Sequence, residues 1–374
     1  MVEWAQARSD WRKDEGAASG REGGTHWFEG VLFGDCSVIL PMPQLSKDGA
    51  QVLIALAADG RSAESGYQFG VRRESDKQCR FAFLRQGREL TAKVIERPEG
   101  NARIRVDCLS GALGAFVDDE LVLAASDVQP LGGHHVAVRW NDVQVDLNQV
   151  WVDSPNCLDE TFAHAPSEWR PERGRWEVTE RWTCSPDWSF FGGFDAAAPV
   201  LWSKASFEGD QVVEAFLSPR MHDEGYNRPG DLNVTLCANG ADVSSGYSFI
   251  LSGWNNQSTR LLRDGRQVAE TGFAFPVADA YKDKYHRHWF RLRIEKLGQT
   301  LRYSVDGQQL LEYRDPQPLT GGKLAVWTLN KGLLLARSRI WYERLGAWEP
   351  APRPVPASDA RAPRAWLAAQ REWA

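Results

Sequence analysis

Apolar and polar residues alternate with a period of two along most of this chain. Leu232, Val234 and Leu236 alternate with Asn233 and Thr235, and Leu292 and Ile294 with Arg291, Arg293 and Glu295. Such alternation predicts strands with one buried and one solvated face. Turn dipeptides punctuate the pattern at Asp59-Gly60, Asn239-Gly240, Asp264-Gly265, Asp306-Gly307 and Gly321-Gly322. Short strands and closely spaced turns predict an all-β sandwich or barrel. No amphipathic helical pattern occurs before Ala365–Trp373, which reads as one short helix docking through Trp366 and Trp373.

The strand pattern occurs twice. LIALAADGRSAESGYQFGV (53–71) matches VTLCANGADVSSGYSFIL (234–251), and FLRQGREL (83–90) matches LLRDGRQV (261–268). Downstream, residues 102–123 match 290–311, and QPLGGHHVAV (129–138) matches QPLTGGKLAV (317–326). Matching segments in one order predict a duplicated module, and the long spacing predicts two whole domains rather than a solenoid. The layout expected is a polar segment at 1–24, a first sandwich at 25–157, a second at 158–346 and a Pro/Ala-rich tail at 347–374.

The second module runs from DETFAHAPSEWRPERGRWEV (159–178) through LWSKASFEGDQVVEAFL (201–217) and SGYSFILSGWNN (245–256). It closes with RLRIEKLGQTLRYSVDGQQLLEYRDPQPLTGGKLAVWT (291–328). This order resembles the concanavalin A-like lectin/glucanase superfamily, in particular its bacterial branch of YesU-like and 3-keto-disaccharide hydrolase-type domains. The resemblance implies two tandem concanavalin A-like jelly-roll β-sandwich domains, with a sugar-binding concave face. It transfers no catalytic residue, because the superfamily holds lectins, hydrolases, lyases and structural modules.

Composition narrows the partners. The net charge is -6, the pI is about 5.8, and no block of Lys and Arg stands out, which argues against nucleic-acid and membrane partners. No apolar run is long enough to span a membrane and the N-terminus lacks an apolar leader core, so the expected location is cytoplasmic. Six scattered cysteines without zinc-ligand spacing read as buried thiols. The 17 Trp admit two readings: sandwich core packing, or flat platforms for the C–H face of a pyranose ring.

Strand parity nominates site residues. With Val213, Ala215 and Leu217 on the core face, Glu214 points outward; the same reasoning turns Trp202, Lys204 and Asn233 outward. If their strands share the concave sheet, these four line one groove. The competing reading makes each an ordinary outer-face residue. Trp254, Asn255 and Asn256 have no equivalent in the first copy, which reads RRESDKQCR (72–80) there. They suit sugar hydroxyls, or else a tight hairpin with Asn at positive φ. His286 and His288 would share a strand face, whereas neighbours His134 and His135 would not. The polar loop 218–231 carries Arg220, His222, Asp223, Glu224 and Asp231, and leaves Ca²⁺ as an option without an EF-hand spacing.

Nucleophile-elbow, P-loop, zincin and dinucleotide motifs are absent, as is a paired-carboxylate strand of the laminarinase type. The resemblance therefore implies a protein that binds an oligosaccharide or sugar derivative on the concave face of the second sandwich, and leaves open whether it also cleaves it as a hydrolase or lyase. Glu214, His288 and Lys204 would act in catalysis, and Trp202, Arg220, Asn233, Trp254, Asn255 and Asn256 in binding, with no metal or other cofactor required. The alternatives are a lectin-like module and a structural or assembly protein, with homo-oligomers left open.

Overall fold

The computed structural model describes residues 10–13, 22–98, 100–162, 166–180, 189–194, 198–220, 230–275, 288–329 and 332–348. The chain divides into two compact units, Met1–Cys157 and Leu158–Ala374. Among the described residues the only helical pieces are Ala63–Ser65, Leu147–Gln149 and Gly253–Asn256, so the fold class is all-β. The helix expected at 365–373 lies outside the described residues.

The first unit holds β1 (Trp11–Lys13), β2 (Glu22–Phe28), β3 (Cys36–Pro41), β4 (Gln51–Ala58), β5 (Tyr67–Ser75), β6 (Gln78–Arg85), β7 (Arg88–Glu96), β8 (Arg103–Leu109), β9 (Ala112–Val117), β10 (Glu120–Ser126), β11 (His135–Asn141) and β12 (Trp151–Asp153). They form a seven-stranded sheet in the order β1-β2-β11-β4-β5-β6-β7 and a five-stranded sheet in the order β10-β9-β8-β3-β12. Trp11, in the polar N-terminal segment, is buried on the edge strand of the larger sheet.

The second unit holds β13 (Cys157–Glu160), β14 (Trp169–Arg173), β15 (Arg175–Glu180), β16 (Ser189–Phe194), β17 (Val200–Arg220), β18 (Leu232–Ala238), β19 (Tyr247–Ser252), β20 (Ser258–Arg263), β21 (Arg266–Thr271), β22 (Phe290–Leu297), β23 (Thr300–Val305), β24 (Gln308–Arg314), β25 (Gly321–Trp327) and β26 (Gly332–Trp348). The long strand β17 belongs to both of its layers. Residues 200–208 pair with β25 and residues 211–217 with β22, while β26 follows β17 along both parts, from Ala205 to Arg220. The chain turns between them at Gly209, whose φ of 76° suits a residue without Cβ. The first layer thus runs β14-β17-β25-β18-β19-β20-β21 and the second β24-β23-β22-β17-β26-β16-β15. Their facing residues close one core: Leu232, Val234, Phe249 and Leu261 from the first layer, and Val213, Ala215, Leu292, Ile294 and Tyr303 from the second.

The strand order of the first unit follows that of the second, with β2 and β3 in the place of the two halves of β17 and without counterparts of β15 and β16. The repeated residues make the same contacts in both. Asp59 accepts from the N–H groups of Arg61 and Ser62 at 2.8 and 2.9 Å, and Asn239 from those of Ala241 and Asp242 at 2.9 and 2.9 Å. Ser65 and Ser245 each accept from the first residue of that turn. A Cβ on Gly66 would meet the Leu56 carbonyl at 2.3 Å, and one on Gly246 the Leu236 carbonyl at 2.1 Å. Tyr67 Oη donates to Asp127 at 2.6 Å, and Tyr247 Oη to Asp315 at 2.5 Å. Arg85 and Arg263 hold the same carboxylates through Nε. The Ser-Gly-Tyr repeat is thus a turn-and-sheet clip, written twice.

Candidate functional site

The outer face of the first layer in the second unit is assembled by register. One row crosses Val200, Trp327, Asn233, Ile250, Arg260 and Glu270; the next crosses Arg170, Trp202, Ala325, Thr235, Ser248 and Leu262. Strand parity points these side chains away from the core, yet Trp202, Trp327, Asn233 and Thr235 are all fully buried. Trp202 Nε1 donates to Glu172 at 2.5 Å and Trp327 Nε1 to Thr235 at 3.0 Å. Both indoles are therefore satisfied at their polar edges, as buried Trp requires.

At the end of this face lies a buried acid. Asp231 accepts from the Asn233 amide, from Thr328 Oγ1 and from the Leu329 N–H. Burial pushes its pKa up to about 6, against the lowering effect of those hydrogen bonds. The Asn233 Oδ1 has no hydrogen-bond partner, although the residue is fully buried. A buried acceptor without a partner lies here beside an acid whose pKa burial raises.

Trp254 rims the same face, half-buried and packed against the cluster of Trp202, Ile250 and Trp327. The Arg260 guanidinium stacks on its ring at 3.7 Å and is held in turn by Ser258 and Glu270. Ser252, Trp254, Asn255 and Asn256 all have positive φ, between 52° and 58°. Asn accepts that conformation readily, but a bulky aromatic does not. The hairpin reading thus describes the backbone of this segment, and Trp254 is held on the rim against its own preference. Strain of this kind gathers at binding and catalytic sites.

The structure does not bring Trp202, Lys204, Glu214 and Asn233 into one groove. Trp202 and Asn233 share the outer face of the first layer. Glu214 lies beyond Gly209 on β17 and so belongs to the second layer. There its carboxylate is fully buried between Arg291, Arg293 at 2.7 Å and Arg339 at 2.6 Å. Burial pushes its pKa up, but Arg339, Arg291 and Arg293 together outweigh that and bring it down to about 2. A carboxylate so low and so enclosed does not carry protons near neutral pH. Lys204 is half-buried at a bulge where β17 leaves the β25 register. The buried cation beside it is Lys323, which donates to the carbonyls of Ser203 and Lys204.

His288 faces Asp306 at 2.7 Å and packs edge-on to Phe290. That places it on the β22–β23 side of the second layer, apart from Asn233. Its partner His286, and His222, Asp223 and Glu224 of the polar loop, lie outside the described residues, as does the side chain of Arg220. In the first unit His134 faces the Leu32 carbonyl and His135 the Trp27 ring, so the two diverge as expected. Among the described residues no group of three or more His, Cys, Asp or Glu could hold a metal ion. Sequence reasoning missed Asp231 as a residue of this face, along with Glu172, Trp327 and Arg260. Trp327 carried a usable signal, since it follows the apolar run of β25 at the outward-facing parity.

No family model and no curated protein matches this chain. Solved structures that align with part of it include the carbohydrate binding module CBM66 from Bacillus subtilis, at 15% identity. That alignment covers 46% of this chain and 94% of the module, with a TM-score of 0.34. The Emp47p carbohydrate recognition domain aligns at 11% identity over 51% of this chain and 96% of its own, with a TM-score of 0.37. The Bacillus licheniformis beta-glucanase aligns at 10% identity over 50% and 99%, with a TM-score of 0.35. Likeness at this level decides nothing about activity, and the functional argument rests on the geometry above.

Proposed function

We propose that this protein binds carbohydrate on the outer face of the first layer of its second unit. The sugar ring would pack at Trp254 and its hydroxyls would bond to Arg260, Asn255 and Asn256 on the rim. The observation that carries the reading is Trp254 itself, partly exposed at positive φ and followed by the exposed Asn255. A sugar that is apolar on one side and rimmed with hydroxyls matches an indole edged by amides and a guanidinium. Within this reading the two units are copies of one sandwich module, in keeping with the concanavalin A-like resemblance of the sequence. The site falls in the copy that has Trp254, Asn255 and Asn256.

The reading is lectin-like, because Glu214 is committed to its arginines. One observation favours cleavage as a second reading: Asp231, with a pKa near 6, is suited to general acid–base work. Calorimetric titration of neutral and acidic oligosaccharides against wild type and Trp254→Ala tests binding, with mass spectrometry of the same mixtures for products. Binding that weakens about tenfold or more in Trp254→Ala supports the proposal. Binding indifferent to Trp254→Ala removes it. A product lost in Asp231→Asn would replace the lectin-like reading with the enzymatic one.

A further inference from the structure

The first unit contains a cavity that its counterpart strands do not require. It has a volume of about 1120 Å³ and lies where β3 and β11 end and β8 and β12 begin. Its outer wall is the connection between β11 and β12, residues 142–150, whereas residues 328–331 suffice between the equivalent β25 and β26. The longer connection is an addition to the sandwich, and it is tied down. Asp146 caps the short helical turn Leu147–Gln149 by accepting from the Asn148 N–H at 3.0 Å. Asp142 stands at a φ of 55° and pairs with Lys47 at 2.8 Å.

Two indoles line the cavity. Trp140 is held flat by His26, with ring centroids 4.6 Å apart and planes 10° apart. Trp151 is 50% exposed on the edge strand β12, with the Arg103 guanidinium 5.6 Å from its ring centre. An exposed Trp on a strand this short gains nothing for the core. The same cavity is lined by the exposed residues Gln44, Asn101 and Gln144, whose side-chain amides each offer a donor and an acceptor. The charges balance: Lys47 and Arg103 face Asp142 and Asp146.

We propose that this cavity is a second binding site, for a neutral oligosaccharide. Two indoles and several side-chain amides lining one cavity match a chain of sugar rings, and the balance of charge argues against uronates, sulfated glycans and phosphates. The volume exceeds the usual ~300–1,000 Å³ of small-molecule pockets, so it takes several linked rings rather than one. The site is independent of the one proposed in the second unit, since no residue is shared. It stands or falls on its own.

The test uses the full chain and neutral hexasaccharides of β-1,3-glucan, β-1,4-glucan, xylan and β-2,6-fructan, titrated calorimetrically against wild type, Trp151→Ala, Gln144→Ala and Trp254→Ala. Trp151 and Gln144 are exposed, so these variants should unfold at the wild-type temperature. The expected result is a binding event that Trp151→Ala weakens about tenfold or more, Gln144→Ala weakens less, and Trp254→Ala leaves intact. Binding lost only in Trp254→Ala would overturn this proposal and leave the second-unit site standing. No binding by any of the four glycans would overturn it as well.

Discussion

Replacing Glu214 with Gln separates a structural carboxylate from a catalytic one. In the folded protein this group sits fully buried among three guanidiniums, and its pKa falls from 4.5 to about 2. A shift of that size corresponds to about 3 kcal/mol of folding free energy at neutral pH. The cost of removing one partner from a buried ion pair, about 3–5 kcal/mol, agrees with it. Glu214→Gln should therefore destabilise the second unit by about 3 kcal/mol, moving its urea midpoint down by about 1–2 M with the slope unchanged. Tryptophan fluorescence reads the transition, because Trp341 lies beside the Arg293 and Arg339 guanidiniums at 6.0 and 5.2 Å. A depressed pKa places the stabilisation above the unfolded value and loses it as pH falls. The gap between wild type and variant should thus be full above about pH 5 and close between about pH 4.5 and 2. A midpoint unchanged within error at pH 7, or a gap that persists at pH 2, would refute the reasoning and reopen a functional role for this carboxylate.

Other substitutions test other parts of the argument. Tyr247→Phe removes a donor to buried Asp315 and an acceptor for the Leu319 N–H, at a cost of about 2 kcal/mol by chemical denaturation. Tyr67→Phe should act in the same direction but less, because Asp127 is more open to water than Asp315. Tyr303→Phe should raise the denaturation midpoint of the second unit, since its buried hydroxyl has no hydrogen-bond partner; a fall would reveal one. Gly246→Ala should lower the melting temperature sharply, because the added methyl would lie 2.1 Å from the Leu236 carbonyl. With its pKa raised from 3.8 to about 6, Asp231 disfavours folding once ionised, so stability should decline as pH rises from about 4 to 6, a slope that Asp231→Asn removes.

The strands, their facing residues and the repeated turns were legible because each is encoded within a few residues. Parity set Glu214 opposite Val213 and Ala215, and Asn233 and Trp202 on the face opposite Val234 and Ala205, but it did not show that all three are fully buried. Parity cannot say which sheet a strand belongs to. The groove of Trp202, Lys204, Glu214 and Asn233 assumed that 201–207 and 211–217 lie in one sheet, and a strand that continues through Gly209 into the other layer breaks that assumption. The burial of Glu214 depends on Arg291, Arg293 and Arg339, which no local pattern links to it. The cavity of the first unit was hidden for a related reason. Its tryptophans are separated by a polar stretch that reads as a plain loop, and only folding brings Lys47 and Arg103 opposite it.

The path of β17 bears on how the second unit comes apart. A sandwich whose sheets are joined only by loops can shed one sheet while the other persists. Here β17 is hydrogen-bonded into both, with Val200–Glu208 in one and Gln211–Leu217 in the other, and β26 follows it on both sides of the bend. Neither layer can fray past Gly209 without pulling on its neighbour, which should make the second unit one cooperative block in native-state hydrogen exchange. In the first unit the same path is interrupted between Phe28 and Cys36, so its two sheets are free to open at different free energies. A strand that passes between layers is thus a mechanical coupling, and its amides on either side of the bend should exchange at one common rate.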